Sequence, residues 1–348
     1  MSTPGYLEAG LVLSPGPAFS ALVKELQRDL RCLGYGTGPF DGIYGPGTTQ
    51  AVQALQFDLL NNNGASSAAD GNAPVSIQSY NNGRVTSVTG VVDQGTAASI
   101  AAMLADAAFP KVPSSADPVS DNLAALAAIS QLQPSPVPLP FLMAILEQES
   151  GRRHYHVPGT GDTDSFITTG IDRNDPAHPF AITSRGFGIG QYTLFHHPPT
   201  AAEVAEVIAD PVRNVSQTVS QLSDKFNHFV NGATPDTRAD DRIAEVGTGP
   251  LRTCRYPAGD PRSMSDCAQC MSSAGQMNIV AGVTPFYAGC AETYAATQYH
   301  AGSYANVPVR ANLLCDWAYA VRRYNGSGVN SWDYQAEVLL RVAGAALD

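Results

Sequence analysis

Hydrophobic residues recur at intervals of three and four along several stretches of the chain, which is the pattern of helices that bury one face. The clearest stretch runs from Phe19 to Leu33 and stops at Gly34, a residue type common just after a helix end. A second apolar face begins at Thr48 and continues to Leu55. Shorter stretches with the same period predict helices near 96–103, 123–132, 141–149, 314–324 and 334–342. Helices therefore dominate the predicted secondary structure.

One short segment is repeated along the chain. The residues from Gly42 to Thr48 are echoed 48 positions later by those from Gly90 to Thr96. In each copy a glycine-rich turn precedes a threonine that can cap the next helix. Residues 61–84, between the copies, are rich in Asn, Ser, Ala and Gly, and this composition predicts a surface excursion.

Composition and charge limit the classes of protein that fit. With 348 residues, 44% of them hydrophobic, the chain is long enough for about two globular domains. Its formal net charge of -11 argues against nucleic acid as a partner, and no apolar run reaches the roughly 20 residues that membrane insertion needs. The first residues lack the basic and apolar regions of a signal peptide.

The N-terminal third resembles a known family. Leu26-Gln27, Leu33-Gly34-Tyr35, Asp41-Gly42-Ile43-Tyr44-Gly45, Thr48 and Ala51-Val52 are similar to the small three-helix peptidoglycan-binding domain of many cell-wall hydrolases. The second glycine–threonine block would supply the closing turn and last helix of that domain. The resemblance covers about residues 18–105 and implies binding to the bacterial cell wall.

A carboxylate lies on a predicted buried helix face. Phe141, Ile145 and Glu149 follow one another at intervals of four, whereas Glu147 falls on the opposite side. Burial among aliphatic neighbours would favour the protonated acid, which is what a general acid for glycosidic cleavage requires. Glu149 could equally be a helix-end residue that reaches solvent, and periodicity alone leaves both readings open.

Two later sequence motifs favour a catalytic role for Glu149. A glycine-rich turn from Ser184 to Tyr192 and the sequence Tyr324-Asn325-Gly326 follow Glu149-Ser150, and the order resembles soluble lytic transglycosylases and goose-type lysozymes. That resemblance implies Glu149 and Tyr324 as catalytic residues, the phenol contacting the acid. The substrate-binding residues that it implies are Ser150, Ser184, Gly188, Ile189, Gly190, Gln191, Tyr192, Asn325 and Gly326.

The second carboxylate decides the reaction type, because hydrolytic glycosidases generally need two. Asp162 is the candidate by spacing, but Thr193 occupies the position of the other aspartate in the goose-type pattern. The resemblance therefore favours a lytic transglycosylase, in which Glu149 first protonates the bond oxygen and then deprotonates the muramyl 6-hydroxyl. Intramolecular attack would benefit from proximity. A true hydrolysing muramidase that uses Asp162 remains the alternative.

The cysteines leave three chemistries open. Five of the six lie in one segment, at Cys254, Cys267, Cys270, Cys290 and Cys315. Clustering favours disulfides over reduced thiols, and zinc is the weakest reading because only one C-x2-C pair is present. No local signature pairs a cysteine with a histidine for catalysis. We expect no cofactor and no metal.

Together these patterns predict an all-α protein with three parts. Residues 1–109 would form the peptidoglycan-binding domain with an insertion at about 61–84, 110–137 a connector, and 138–348 a lysozyme-like domain with an insertion at about 200–312. The protein would be a monomer that cuts peptidoglycan in the periplasm or wall after delivery by phage lysis or a type VI secretion system, with delivery machinery or an immunity protein as partners. The contrary prediction is a noncatalytic wall-binding or structural component.

Overall fold

The computed structural model describes residues 3–7, 11–64, 74–132, 137, 139–226, 320–321, 323–325, 334, 337–338 and 341–342. The five clustered cysteines, Gly326 and most of the predicted 200–312 insertion lie outside these residues. The chain divides into two compact units, one formed by residues 1–127 and 153–214 and the other by residues 128–152 and 215–348. In the described part of the chain, no helix is both long and apolar enough to cross a membrane.

The first unit begins with the binding domain, and its three predicted helices are confirmed. They are α1 (Ala21–Cys32), α2 (Pro46–Asn61) and α3 (Gln94–Ala105). Ser20 caps α1 through its side chain, Asp93 caps α3 in the same way, and Gly34 follows α1 with a φ of 87°. Two short strands, β1 (Gly16–Phe19) and β2 (Ile43–Tyr44), pair antiparallel beside these helices.

The core of this domain comes from the predicted apolar stripes. Leu26, Leu30, Val52 and Leu55 are fully buried in one cluster. The predicted surface excursion at 61–84 is wrong at its C-terminal end, because Ile77 is fully buried in the same cluster. The segment returns to the core through a short 3-10 helix, Ile77–Tyr80, before the second glycine turn.

The rest of the first unit contains a sheet that the sequence patterns did not predict. Strands β3 (Thr169–Asp172), β4 (Ser184–Phe187) and β5 (Tyr192–Leu194) pair antiparallel in chain order. The expected all-α class is therefore confirmed only in part, since the described residues hold five short strands beside seven α-helices. Strands of three or four residues with glycines are too short to show an alternating pattern.

Four further α-helices follow along the chain. They are α4 (Pro118–Ser130), α5 (Leu139–Ser150), α6 (Ala201–Glu203) and α7 (Pro211–Phe226), with a π-helical stretch, Val204–Ile208, after α6. Helix α4 lies within the segment predicted as a connector and contains most of the short helix expected there.

In the second unit, α5 buries the face that its sequence predicts. Phe141, Leu142, Ile145 and Leu146 are fully buried. The described residues at 320–324 and 334–342 are helical, and Val321, Val338 and Val342 are fully buried among them. Apolar periodicity thus located the buried faces on both sides of the long cysteine-containing segment.

The compact units differ from the predicted domain boundaries. Residues 153–214 belong to the unit of the binding domain, and buried polar contacts explain the grouping. Arg31 of α1 forms an ion pair with Asp164 at 2.8 Å, and the Phe40 amide donates to Asp162 at 3.1 Å. Arg185 of β4 donates from Nε to the Gly34 carbonyl at 3.0 Å. Such side-chain contacts across more than a hundred positions leave no local sequence pattern.

Candidate functional site

The candidate site is built at the C-terminal end of α5. The helix ends through Gly151, whose φ of 61° is in the left-handed region, and the Gly151 amide donates to the Glu147 carbonyl at 3.0 Å. Glu149 therefore lies in the last turn, where the negative end of the helix dipole disfavours an additional negative charge. Its side chain is partly buried, as its position on the apolar stripe predicts.

A phenol holds this carboxyl group. The Tyr334 hydroxyl donates to Glu149 Oε1 at 2.5 Å, across 185 positions of sequence. Tyr334 is only 7% exposed, and burial followed by the charge of Glu149 raises its pKa well above the usual value. The phenol therefore stays protonated and remains a donor to the carboxyl group.

A second phenol lies beside the first. The rings of Tyr324 and Tyr334 stack with their centroids 6.2 Å apart and their planes 29° from parallel. Burial, and then the charge of Glu149, raise the pKa of Tyr324, and its hydroxyl forms a side-chain hydrogen bond with Thr218. The phenol that donates to Glu149 Oε1 is therefore Tyr334, and Tyr324, expected as the partner of the acid, lies beside it.

Tyr334 is the functional candidate that the sequence patterns missed. Tyr334, Val338 and Val342 share a buried helical face, and the pattern identified the tyrosine only as part of that face. A signal was present, because a phenolic hydroxyl on an otherwise aliphatic buried stripe needs a hydrogen-bond partner. The identity of the partner, 185 positions away, had no local trace.

The residues next to Glu149 make structural contacts. The Ser150 hydroxyl donates to the Leu146 carbonyl at 3.0 Å, one helical turn back. Glu147 is 40% exposed and forms an ion pair with Arg152 at 3.0 Å. Only Glu149 of the two glutamates is thus set among buried groups, which makes Glu147 a matched comparison on the same helix.

The glycine-rich turn belongs to the other compact unit, where buried side chains contact it. Gly188 has a φ of 75°, and a Cβ there would lie 2.7 Å from Cε1 of the His154 ring. The Ile189 amide donates to His154 Nδ1 at 3.3 Å and the Gly190 amide to Asn214 Oδ1 at 2.7 Å. Burial lowers the pKa of His154 to about 4, so its ring is neutral and can accept this bond at physiological pH. These glycines serve packing of the turn against a histidine and an asparagine.

Gln191 closes the turn over its own sheet. Its φ is 50°, and its Nε2 donates to the Gly188 carbonyl at 2.7 Å. Gly170 and Gly186 face each other across β3 and β4, and a Cβ at either would lie 2.5 or 2.7 Å from Gln191 Oε1. The paired glycines therefore make room for the amide side chain, which is engaged by the backbone.

The remaining predicted ligands also have structural partners. Asp162 Oδ1 accepts the amides of Thr163 and Asp164 at 2.6 and 2.8 Å in addition to that of Phe40, so this candidate second carboxylate organises a turn of the first unit. The Ser184 hydroxyl donates to Asp172 across the sheet at 2.7 Å, and Tyr192 packs beside a small apolar cluster. Asn325 is an exposed turn residue.

Within the binding domain, two buried glutamines hold the repeated turns. Gln27 Nε2 donates to the Ile43 carbonyl and the Thr48 hydroxyl, and its Oε1 accepts the Gly42 amide at 2.9 Å. Gln56 makes the equivalent set in the second copy, donating to Val91 and Thr96 and accepting the Gly90 amide. The repeat seen in sequence is therefore a repeat of hydrogen bonding.

The comparisons with known proteins agree with this part of the chain. Residues 20–59 match the family model of a peptidoglycan binding domain. The matched stretch contains α1, the first glycine turn, β2 and nearly all of α2, including both glutamines. Searches of curated proteins and of solved structures give no match. The N-terminal part of the chain thus contains a peptidoglycan-binding domain.

Proposed function

We propose that this protein binds peptidoglycan through its N-terminal domain and cuts the glycan strand with Glu149 as the proton-transferring residue. The bond cut would be the β-1,4 linkage between N-acetylmuramic acid and N-acetylglucosamine. The observation that carries the proposal is the hydrogen bond from the buried Tyr334 hydroxyl to Glu149 at the end of α5.

The environment of Glu149 suits a group that gives up and regains one proton. The end of a helix dipole and partial burial favour the neutral acid, whereas a donating phenol favours the carboxylate. Opposed influences of this kind allow one carboxyl group to act first as an acid and then as a base. The phenol also fixes the position of Oε1, so that the carboxyl group does not need to be reoriented for each proton transfer.

In the proposed reaction, Glu149 donates its proton to the glycosidic oxygen as the bond to the muramyl carbon breaks. The resulting carboxylate then accepts the proton of the muramyl 6-hydroxyl, whose oxygen closes a 1,6-anhydro ring. No water is consumed, and the residue ends protonated as it began. A lytic transglycosylase is favoured over a muramidase because Asp162, the second carboxylate suggested by spacing, is occupied by backbone amides.

A substitution pair tests the proposal. The protein is incubated with purified sacculi, and soluble muropeptides are identified by mass spectrometry. Glu149→Gln keeps the shape but cannot donate the proton, so release should fall by about 10²- to 10⁴-fold. Glu147→Gln, two positions earlier on the exposed side of α5, should release as much as the parent.

The products separate the alternatives. Anhydromuramic ends, lighter by one water than reducing ends, are the expected products of the transglycosylase. Reducing muramic ends would instead identify a hydrolase. If the parent protein binds sacculi but releases nothing, or if Glu149→Gln releases as much as the parent, the protein is a noncatalytic wall-binding component and the enzymatic proposal is wrong.

A further inference from the structure

A cavity of about 250 Å³ lies in the first compact unit, away from Glu149 in the sequence and separate from the turn of Gln191. One wall comes from the C-terminal half of α2, including Phe57 and Asp58, and the other from residues 175–197. The second wall lies outside the stretch that matches the family model. The cavity is therefore a feature that this chain adds to the binding domain, and its volume is close to the lower limit for small-ligand sites, roughly 300 Å³.

Arg185, a buried cation, lines this cavity and has hydrogen-bond donors that are not all used. Arg185 is 3% exposed, and its guanidinium lies over the Tyr35 ring with its carbon 5.3 Å from the centroid. Its Nη2 is 3.5 Å from Asp58 Oδ2, beyond the usual hydrogen-bond range of about 2.7–3.2 Å. Among the described residues, Nη2 has no hydrogen-bond partner. Arg185 therefore has donor capacity beyond the bond from its Nε to the Gly34 carbonyl.

The neighbouring charges favour a ligand with one negative charge. Asp58 Oδ2, the carboxylate oxygen that faces Arg185, already accepts the Tyr35 hydroxyl at 2.7 Å. Burial holds the pKa of His197 well below the usual range, so that ring adds no charge. Asp175 lines the cavity as well and pairs with His178 at 2.8 Å. Asp58 and Asp175 both line the cavity and would repel a phosphate or other multiply charged anion more strongly than a single carboxylate, which needs only Arg185.

The other walls are apolar. Phe57, Ala181 and Ile182 contribute hydrocarbon surface, and Phe195 is 52% exposed beside them. A half-exposed aromatic ring at a cavity with a buried cation provides contact area for an uncharged part of a ligand. The lining thus combines one donor for a carboxylate with room for a small apolar group.

We propose that this cavity binds the free carboxyl end of a peptide whose last residue is small and apolar, with the carboxylate on Arg185 and the side chain among Phe57, Ala181 and Ile182. Peptide stems of the cell wall that end in D-alanine have this chemistry. Their assignment as the source rests on the wall-directed function proposed above, whereas the carboxylate site itself rests on the cavity.

Binding is tested with the full chain by isothermal titration calorimetry. N-acetyl-D-alanyl-D-alanine should bind, and its C-terminal amide should bind at least about tenfold more weakly because the charge-assisted hydrogen bond is lost. Ala181→Leu fills the cavity without touching the ion pair and should abolish binding with an unchanged melting temperature. Arg185→Gln should bind the acid no more tightly than the amide, whereas Arg28→Gln, the matched charge control at an exposed arginine of α1, should bind as the parent does.

The outcomes are separable from those of the enzymatic test. Equal binding of acid and amide, no binding at millimolar concentration, or undiminished binding by Ala181→Leu would each overturn the carboxylate site. Equal binding of the L,L enantiomer would overturn the assignment to wall stems. Glu149→Gln should bind the peptide as the parent does, so loss of sacculus cleavage in that variant with intact peptide binding supports both proposals. Cleavage by the parent without peptide binding would refute only the cavity.

Discussion

The two compact units contain the same kind of contact, a phenol that donates a hydrogen bond to a carboxyl group. In the first, the Tyr6 hydroxyl donates to Asp29 at 2.5 Å, and in the second, the Tyr334 hydroxyl donates to Glu149 at the same distance. Tyr6 belongs to a short 3-10 helix, Gly5–Leu7, whose first amide also bonds to Glu25 of α1. The pair in the first unit therefore fastens the N-terminal segment to a helix.

Among its described residues, the first unit has two more such pairs, Tyr35 with Asp58 at 2.7 Å and Tyr80 with Asp106 at 2.6 Å. A phenol–carboxyl hydrogen bond is thus a recurrent device for satisfying buried polar groups in this protein, and it does not by itself indicate catalysis. Glu149 differs because it lies at a helix end beside a second phenol. It is also followed in the sequence by the glycine-rich turn and the Tyr324-Asn325-Gly326 motif. Substitutions in the pairs of the first unit should therefore change stability, whereas substitutions in the Tyr334–Glu149 pair should change muropeptide release.

The largest effect is expected where the pair is buried most deeply. Asp58→Asn removes the charge that faces Arg185, and an uncompensated buried guanidinium costs about 3–5 kcal/mol. Protection of the α1 and α2 amides should fall accordingly in hydrogen-exchange experiments at several urea concentrations. Asp224→Asn, at an exposed position of α7, is the control and should leave those amides unchanged. A loss below about 1 kcal/mol would mean that the Arg185 charge is balanced elsewhere.

The Tyr6–Asp29 pair should make the stability of the binding domain depend on pH. Burial, opposed in part by the Tyr6 hydrogen bond, raises the pKa of Asp29 to about 6 from 3.8. The folded state binds this proton more tightly than the unfolded state, so the stabilisation is complete below about pH 4. It is lost as the pH rises through about 6, by a total of about 3 kcal/mol. Asp29→Asn should flatten the stability profile between pH 4 and 7, and an unchanged profile would refute the assignment.

The helices were predictable from the sequence because their buried faces repeat locally. Leu26 and Leu30 in α1, and Ile145 with Glu149 in α5, lie one turn apart, so a window of a dozen residues contains the whole signal. The position of Gln27 beside Leu26 was a usable clue, since an amide on a buried face must find partners. The sequence shows the repeat that Gln27 and Gln56 hold together, but it does not show the partners of the two amides.

The sheet and the partner of Glu149 were not predictable in this way. Gly170 and Gly186 meet only when β3 and β4 pair, and the amide that covers them comes from Gln191 after the next turn. Tyr334 reaches Glu149 across a segment of well over a hundred residues. Contacts of this kind depend on tertiary structure alone, and one sequence contains no record of them.

The Tyr334–Glu149 pair should affect the reaction more than the fold. Tyr334→Phe retains the ring and its stacking on Tyr324 but removes the donor, and we expect kcat for muropeptide release to fall about tenfold with KM unchanged. Tyr324→Phe is the matched control, since its hydroxyl bonds with Thr218, and it should keep most of the activity. If Tyr324→Phe loses more activity than Tyr334→Phe, the phenol that serves the acid has been misassigned.

The smallest effect is expected from the most exposed pair. Tyr80 packs edge-on against Phe109 with the ring centroids 5.8 Å apart, and Tyr80→Phe keeps that contact while it removes the hydrogen bond to Asp106. Because water can replace the phenol at a partly exposed carboxylate, the urea midpoint of the binding domain should barely move and sacculus binding should not change. A destabilisation as large as that of Asp58→Asn would contradict the comparison, because it would mean that the phenol–carboxyl bond stabilises this protein whether or not it is buried. Burial, in that case, would no longer distinguish the pairs that hold the fold from the one proposed to do chemistry.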